Sequence, residues 1–186
     1  MKLRFVPNVP NILTLIRLLA IPVLAYLIYA GDEYNIVAFI MFAAIWLTDL
    51  LDGFIARHFN QMTEFGKLFD PLVDKLFQFV TAIMMFVVGK LPIWVPIVIF
   101  IKELLMIIGS TMILKKNETV VFAEWFGKLG TILFVAAFAC LFFLTSEQRW
   151  LGAYIFIAPI IWSLYACFRY FLAYKHLNNK NNTGTV

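Results

Sequence analysis

Six apolar runs, each near the length of a bilayer crossing, constrain this chain more than any other feature. They lie near residues 10 to 30, 34 to 57, 68 to 89, 92 to 114, 120 to 144 and 150 to 173. About 20 largely apolar residues are needed for a helix to cross the ~30 Å hydrocarbon core. The connections are short, such as Gly31-Asp32-Glu33 after the first run and Gly89-Lys90-Leu91-Pro92 after the third. The predicted fold is therefore an all-α integral membrane protein with six transmembrane helices. Residues 1–175 form one membrane-embedded domain, and 176–186, rich in Asn, Lys, Thr and Gly, form a flexible tail. The chain is 63% apolar and 14% charged, against about 45–50% and about 25% in a soluble domain. A soluble protein of 186 residues could not bury that much hydrocarbon.

The first run, from Val9 to Ala30, is too long for a signal-peptide core and lacks a small-residue cleavage site before Gly31. It reads as the first transmembrane helix. Lys2, Arg4, Arg57, Lys67, Lys115, Lys116, Lys175 and Lys180 fall on one side of a six-span protein, with Lys90 and Arg149 on the other. That bias predicts cytoplasmic termini. Cys140 and Cys167 lie inside apolar runs without CxxC spacing or a nearby histidine, so neither a disulfide framework nor a zinc site is expected. No basic run is interleaved with aromatics, which argues against nucleic-acid binding.

Ionisable groups inside spans cost at least ~2.5–3.5 kcal/mol each near a helix centre, so they are functional candidates. Here they are Arg17, Asp49, Asp52, Asp70, Asp74, Lys75, Lys102, Glu103 and Lys128. Asp49 and Asp52 are three apart, Asp70 and Asp74 four apart, so each pair shares one helix face. A short loop joins the two spans, which lets the two acidic faces meet at one depth. Four carboxylates gathered there repel one another unless cations neutralise them. Oxygen-only donors favour hard cations such as Mg²⁺, Mn²⁺ or Ca²⁺, and Mg²⁺ favours a few carboxylates plus phosphate oxygens. The simpler reading of Asp70, before Pro71, is a helix cap. A cap accounts for one aspartate and leaves the other three with their spacings. Gly53 and Ala56 leave room beside Asp52 for a flat group, and Arg57 offers a planar fork suited to phosphate.

The stretch Asp49-Leu-Leu-Asp52-Gly53-Phe-Ile-Ala56-Arg57, eight residues, Gly66-Lys-Leu-Phe-Asp70-Pro-Leu-Val-Asp74 resembles the signature of the CDP-alcohol phosphotransferase family at all eight fixed positions. The helix Pro10-Asn11-Ile12-Leu13-Thr14-Leu15-Ile16-Arg17 is similar to the family's opening helix, and the resemblance covers residues 7 to 175. It implies a homodimeric enzyme that displaces CMP from a CDP-linked lipid with an alcohol, using two divalent ions, Mg²⁺ or Mn²⁺. Under that resemblance Asp49, Asp52, Asp70 and Asp74 hold metal, and Asp74 is also the general base. Gly53, Ala56, Arg57 and Gly66, together with Asp49, Asp52 and Asp70, line the CDP site.

Within the family, the resemblance is greatest to members that join CDP-diacylglycerol to glycerol 3-phosphate. Arg17, Lys102 and Lys128 are intramembrane cations available for the acceptor phosphate. One departure stands out. Those members usually read Gly-Lys-x-Lys-Thr where this chain has Gly127-Lys128-Leu129-Gly130-Thr131. Members using phosphatidylglycerol as acceptor are the nearest alternative. An intramembrane prenyltransferase would need a second acidic motif in another helix pair, and a transporter would place its acids near the midplane of matched repeats. Neither pattern is evident. The resemblance and the small size suggest a bacterial plasma membrane.

Overall fold

A computed structural model describes residues 7–59, 63–114 and 123–183; within these, the side chains of 106–114 and 123–128 and most of those beyond Arg169 lie outside the description, as do those of Ala56, Arg57, Glu64, Phe65, Lys67 and Leu68. Among the described residues the fold is entirely helical. Six long helices follow in order: α1 (Val9–Tyr29), α2 (Asn35–His58), α3 (Glu64–Val87), α4 (Trp94–Leu114), α5 (Ala123–Leu141) and α6 (Arg149–Thr183).

Local chemistry explains where they start and stop. The Asn8 side chain caps α1 by accepting from the Asn11 backbone N–H at 3.1 Å, with proline in the first turn where no N–H is needed. Gly31, at φ +106°, supplies the left-handed residue that turns the chain toward α2. Thr63 caps α3 by accepting from Gly66 N at 2.9 Å. Gly89, at φ +80°, ends α3, and the N–H groups of Lys90 and Leu91 reach back to the Met85 carbonyl.

Two of the expected boundaries move. The third helix starts at Glu64 rather than near 68, so the Asp70-Pro71 step lies one and a half turns inside it and Thr63 is the cap. The stretch expected to be flexible from residue 176 continues α6 as helix through Thr183. The expected loop positions 60–62 and 115–122 lie outside the described residues.

The helices form two groups of three. α1 packs extensively on both α2 and α3, while α6 packs on α4 and α5; contacts of α3 with α4 and of α2 with α5 join the groups. Phenylalanines fill the join: Phe42 of α2 meets Phe138 of α5 with ring centroids 6.2 Å apart, and Phe79 of α3 meets Phe100 of α4 at 5.4 Å. Phe42 also stacks on Phe77 within its own group at 5.1 Å. Ala38, Leu91, Val95, Leu141 and Phe156 are fully enclosed. Large apolar side chains such as Leu19, Tyr26, Ile36, Ile40, Ile161 and Leu164 point outward along α1, α2 and α6, as a lipid-facing surface requires.

By length and composition, Val9–Tyr29, Asp32–Ile55 and Ser146–Arg169 are each long and apolar enough to cross a membrane. α3 differs because Glu64, Lys67, Asp70, Asp74 and Lys75 crowd its first half. That concentration of charge marks one end of the bundle. The opposite end is pinned by Lys90, 3% exposed, whose Nζ lies 2.9 Å from Asn35 Oδ1 and 3.0 Å from Asp32 Oδ1.

Candidate active site

The first helix carries polar residues every third position, Asn11, Thr14 and Arg17, and all three are buried. On a helix that spacing builds one stripe. The stripe faces the acidic ends of α2 and α3. Arg17 is paired through Nη1 with Asp49 Oδ1 and through Nη2 with Asp52 Oδ2, the latter at 2.5 Å. The Thr14 hydroxyl donates to Asp70 Oδ1 at 2.5 Å. Asn11 Oδ1 accepts from the Thr63 hydroxyl at 3.1 Å, so the residue that caps α3 is itself held by α1.

The expected meeting of the α2 and α3 acidic faces is thereby mediated by a third helix. α2 and α3 touch through side chains such as Phe42 and Phe77, whereas the extensive backbone packing of each is with α1. The reason is electrostatic and steric together. Asp49, Asp52 and Asp70 are close enough to repel one another, and the cationic fork of Arg17 is what lets two of them sit side by side in a low-dielectric setting. Asp52 is 3% exposed and Asp49 is 30% exposed at the side chain, so the pair opens toward one edge at Asp49.

Asp74 lies one helical turn beyond Asp70 and is half-buried. Both its oxygens are within reach of Gln78 Nε2, at 3.4 and 3.3 Å. Asp49 and Glu103 press on it with like charge and Lys75 draws on it with opposite charge. Glu103 is the centre of an ion triad in which it and Lys102 are buried and Lys75 is partly exposed. Lys75 Nζ lies 2.6 Å from its Oε2, and Lys102 is paired with its Oε1. Lys102 also stands over the Phe134 ring, 4.4 Å from the centroid, which gives its ammonium a second favourable contact.

The residues expected at the site thus fall into three groups. Asp49, Asp52, Asp70 and Arg17 come together, with Asp74 along the same face of α3. Gly66 is buried against them: a Cβ there would lie 2.9 Å from Asn11 Oδ1 and 3.4 Å from Asp70 Oδ2. Gly53 is partly buried on α2, one residue past Asp52. Arg17 faces carboxylates rather than an open acceptor pocket, and Lys102 is engaged by Glu103. The side chains of Ala56, Arg57 and Lys128 lie outside the described residues. Sequence reading passed over Asn11, Thr14, Thr63 and Gln78. The three-residue spacing of Asn11, Thr14 and Arg17 in an otherwise apolar span was the signal available for the first two.

By donor chemistry the four aspartates suit a hard divalent cation, being all-oxygen ligands on facing helices. Their spacing is a separate matter. Among the described residues no three His, Cys, Asp or Glu side chains are grouped closely enough to hold a metal ion.

A membrane-length helical bundle in which two helices turn their aspartates toward a buried arginine of a third defines an integral membrane protein with an acidic site toward one end of the bundle. The chain belongs to the CDP-alcohol phosphatidyltransferase family, whose model matches residues 7–166. It is 36% identical over 132 residues to a probable phosphatidylglycerophosphate synthase of Mycobacterium tuberculosis, a match covering 69% of this chain and 62% of that one. It is 35% identical over 115 residues to a CDP-diacylglycerol–glycerol-3-phosphate 3-phosphatidyltransferase of Aquifex aeolicus, covering 60% of this chain and 63% of that one. A CMP-forming cardiolipin synthase of Streptomyces coelicolor is 27% identical over 150 residues, covering 78% of this chain and 69% of that one. The chain thus spans a little over three-fifths of the length of the first two relatives.

Proposed function

We propose that this protein transfers a phosphatidyl group from CDP-diacylglycerol to the hydroxyl of glycerol 3-phosphate, releasing CMP and forming phosphatidylglycerophosphate. The observation that carries the reading is the set of aspartates of the family signature, Asp49, Asp52, Asp70 and Asp74, on two helix ends beside the polar stripe of α1. The names of the two relatives at 35–36% identity favour this acceptor. The lower identity to the cardiolipin synthase leaves phosphatidylglycerol as the second reading, favoured by the missing basic residue at Gly130.

In this reading the acceptor oxygen attacks the phosphatidyl phosphorus while the bond from phosphorus to the CMP oxygen breaks, and CMP leaves with that electron pair. Asp74 takes the proton of the hydroxyl, held in register by Gln78 one turn along. Asp49, Asp52, Asp70 and Asp74 would hold two divalent ions, Mg²⁺ or Mn²⁺, which supply charge neutralisation at the diphosphate when bound. Gly53, Ala56, Arg57 and Gly66 would border the nucleotide. The site lies on the cytoplasmic side of a cell membrane, both termini facing the same way, with the donor's acyl chains left in the bilayer. The protein acts as a homodimer.

Purified protein given CDP-diacylglycerol, Mg²⁺ or Mn²⁺, and either glycerol 3-phosphate or phosphatidylglycerol tests the assignment through CMP release and identification of the lipid product. Phosphatidylglycerophosphate is expected; cardiolipin as the sole product would overturn the choice of acceptor. Asp74→Asn should abolish turnover in a folded protein that still binds donor, and full activity in that variant would remove the general-base role.

A further inference from the structure

Arg17 is 2% exposed, its two terminal nitrogens are given to Asp49 and Asp52, and its Nε is buried with no hydrogen-bond partner. A guanidinium in that position is held by charged hydrogen bonds at its terminal edge, with the Nε donor left unused. It lies on oxygens of two of the four carboxylates that the proposed function assigns to divalent ions. With it in place, no three of the described acids are grouped closely enough to hold a metal ion. The helix that carries it packs on both α2 and α3.

We propose that Arg17 is a resident counter-cation that exchanges with divalent metal: loading moves the guanidinium off Asp49 and Asp52 and lets those carboxylates turn toward Asp70 and Asp74. The physical argument is one of like charge. A dication and a guanidinium compete for the same carboxylate charge, and in a site this enclosed their mutual repulsion is weakly screened. The displaced guanidinium becomes a buried cation in need of an anion, and its planar fork matches a pair of phosphate oxygens. Metal alone therefore binds weakly, while metal together with a diphosphate binds well, because the diphosphate accepts what the carboxylates release. Arg17 is a positioning residue in this scheme, coupling the two ligands so that ions load with the donor rather than ahead of it.

The inference rests on the metal reading of the proposed function, and the test separates the two. Binding of Mn²⁺ to the full-length protein in detergent is followed by the electron paramagnetic resonance signal of the free ion, with and without CDP. Wild type should bind Mn²⁺ weakly alone and at least about tenfold more tightly with CDP, whereas Arg17→Met should bind Mn²⁺ alone roughly tenfold or more tighter than wild type, with little further gain from CDP. Arg17→Lys, which keeps the charge and loses the planar fork, should still bind Mn²⁺ weakly alone and gain less from CDP than wild type. Unchanged or weaker Mn²⁺ binding in folded Arg17→Met would overturn the exchange and leave the metal reading standing. No Mn²⁺ binding by wild type, even with CDP, would sink the metal reading and the exchange with it. Should Arg17→Met fail to fold, an experimental structure of wild type with Mn²⁺ and CDP decides: a guanidinium still paired with both Asp49 and Asp52 refutes the proposal.

Discussion

Replacing Thr14 by valine removes one hydroxyl and almost no volume, so it isolates what the α1 stripe does for α3. The hydroxyl lies 2.5 Å from Asp70 Oδ1 and 3.0 Å from the Pro10 carbonyl of its own helix. A hydrogen bond to an ionised partner contributes about 1.5–3 kcal/mol, so the ceiling on the effect is roughly a tenfold to 150-fold change in an equilibrium or rate. Asp70 loses its hydroxyl donor while Asp49 and Asp52 keep Arg17, so the loss concentrates at one carboxylate. Thr14→Val should reduce CMP release per folded molecule by about tenfold or more, with Thr14→Ser close to wild type. CMP release is read against CDP-diacylglycerol concentration, and thermal unfolding in detergent reports folding. Equal activity of Thr14→Val and wild type would refute the claim that α1 positions Asp70.

The opposite end of the bundle offers predictions that spare the chemistry. A Cβ on Gly152 would lie under 3.0 Å from the Lys90 backbone oxygen and 3.2 Å from Leu141 Cδ2; Gly152→Ala should cost about 1–3 kcal/mol and lower the unfolding temperature, with CMP release per folded molecule unchanged. Asp32→Ala leaves the buried Lys90 ammonium with the Asn35 side chain and no carboxylate, whereas Lys90→Met removes the charge together with the need for it. Asp32→Ala should therefore be the more destabilising of the two in thermal unfolding, and the reverse order would contradict the pinning role given to Lys90.

Much of this architecture was legible because a bilayer permits few solutions. Backbone groups must be satisfied within each crossing segment, so apolar length alone points to helices. The spacings of Asp49 with Asp52 and Asp70 with Asp74 placed the carboxylates correctly on their helices for the same reason, since a helix fixes which residues share a face. The start of α3 was less legible. Asp70-Pro71 carries the local signature of a helix start, yet Thr63 caps the helix earlier because its hydroxyl answers both Gly66 N and Asn11 Oδ1, a contact 52 residues away in the chain. A cap whose partner is non-local leaves no trace in the segment it caps.

The roles of the cations were the least legible, and the cause is general. A buried lysine or arginine in a span announces a need for a partner without saying whether that partner is a ligand or another part of the chain. Arg17 and Lys102, expected to await an acceptor phosphate, are each engaged by carboxylates of the protein itself, Asp49 with Asp52 and Glu103. Breaking either arrangement by removing one partner leaves an uncompensated charge in a low-dielectric setting, which is strongly unfavourable. Any anionic substrate reaching these cations has to replace the internal carboxylate rather than merely approach, and any dication reaching the aspartates has to replace the guanidinium. On the proposed function, substrate and metal would bind against the protein's own ion pairs, and such a site would answer weakly to either ligand alone and strongly to the two together.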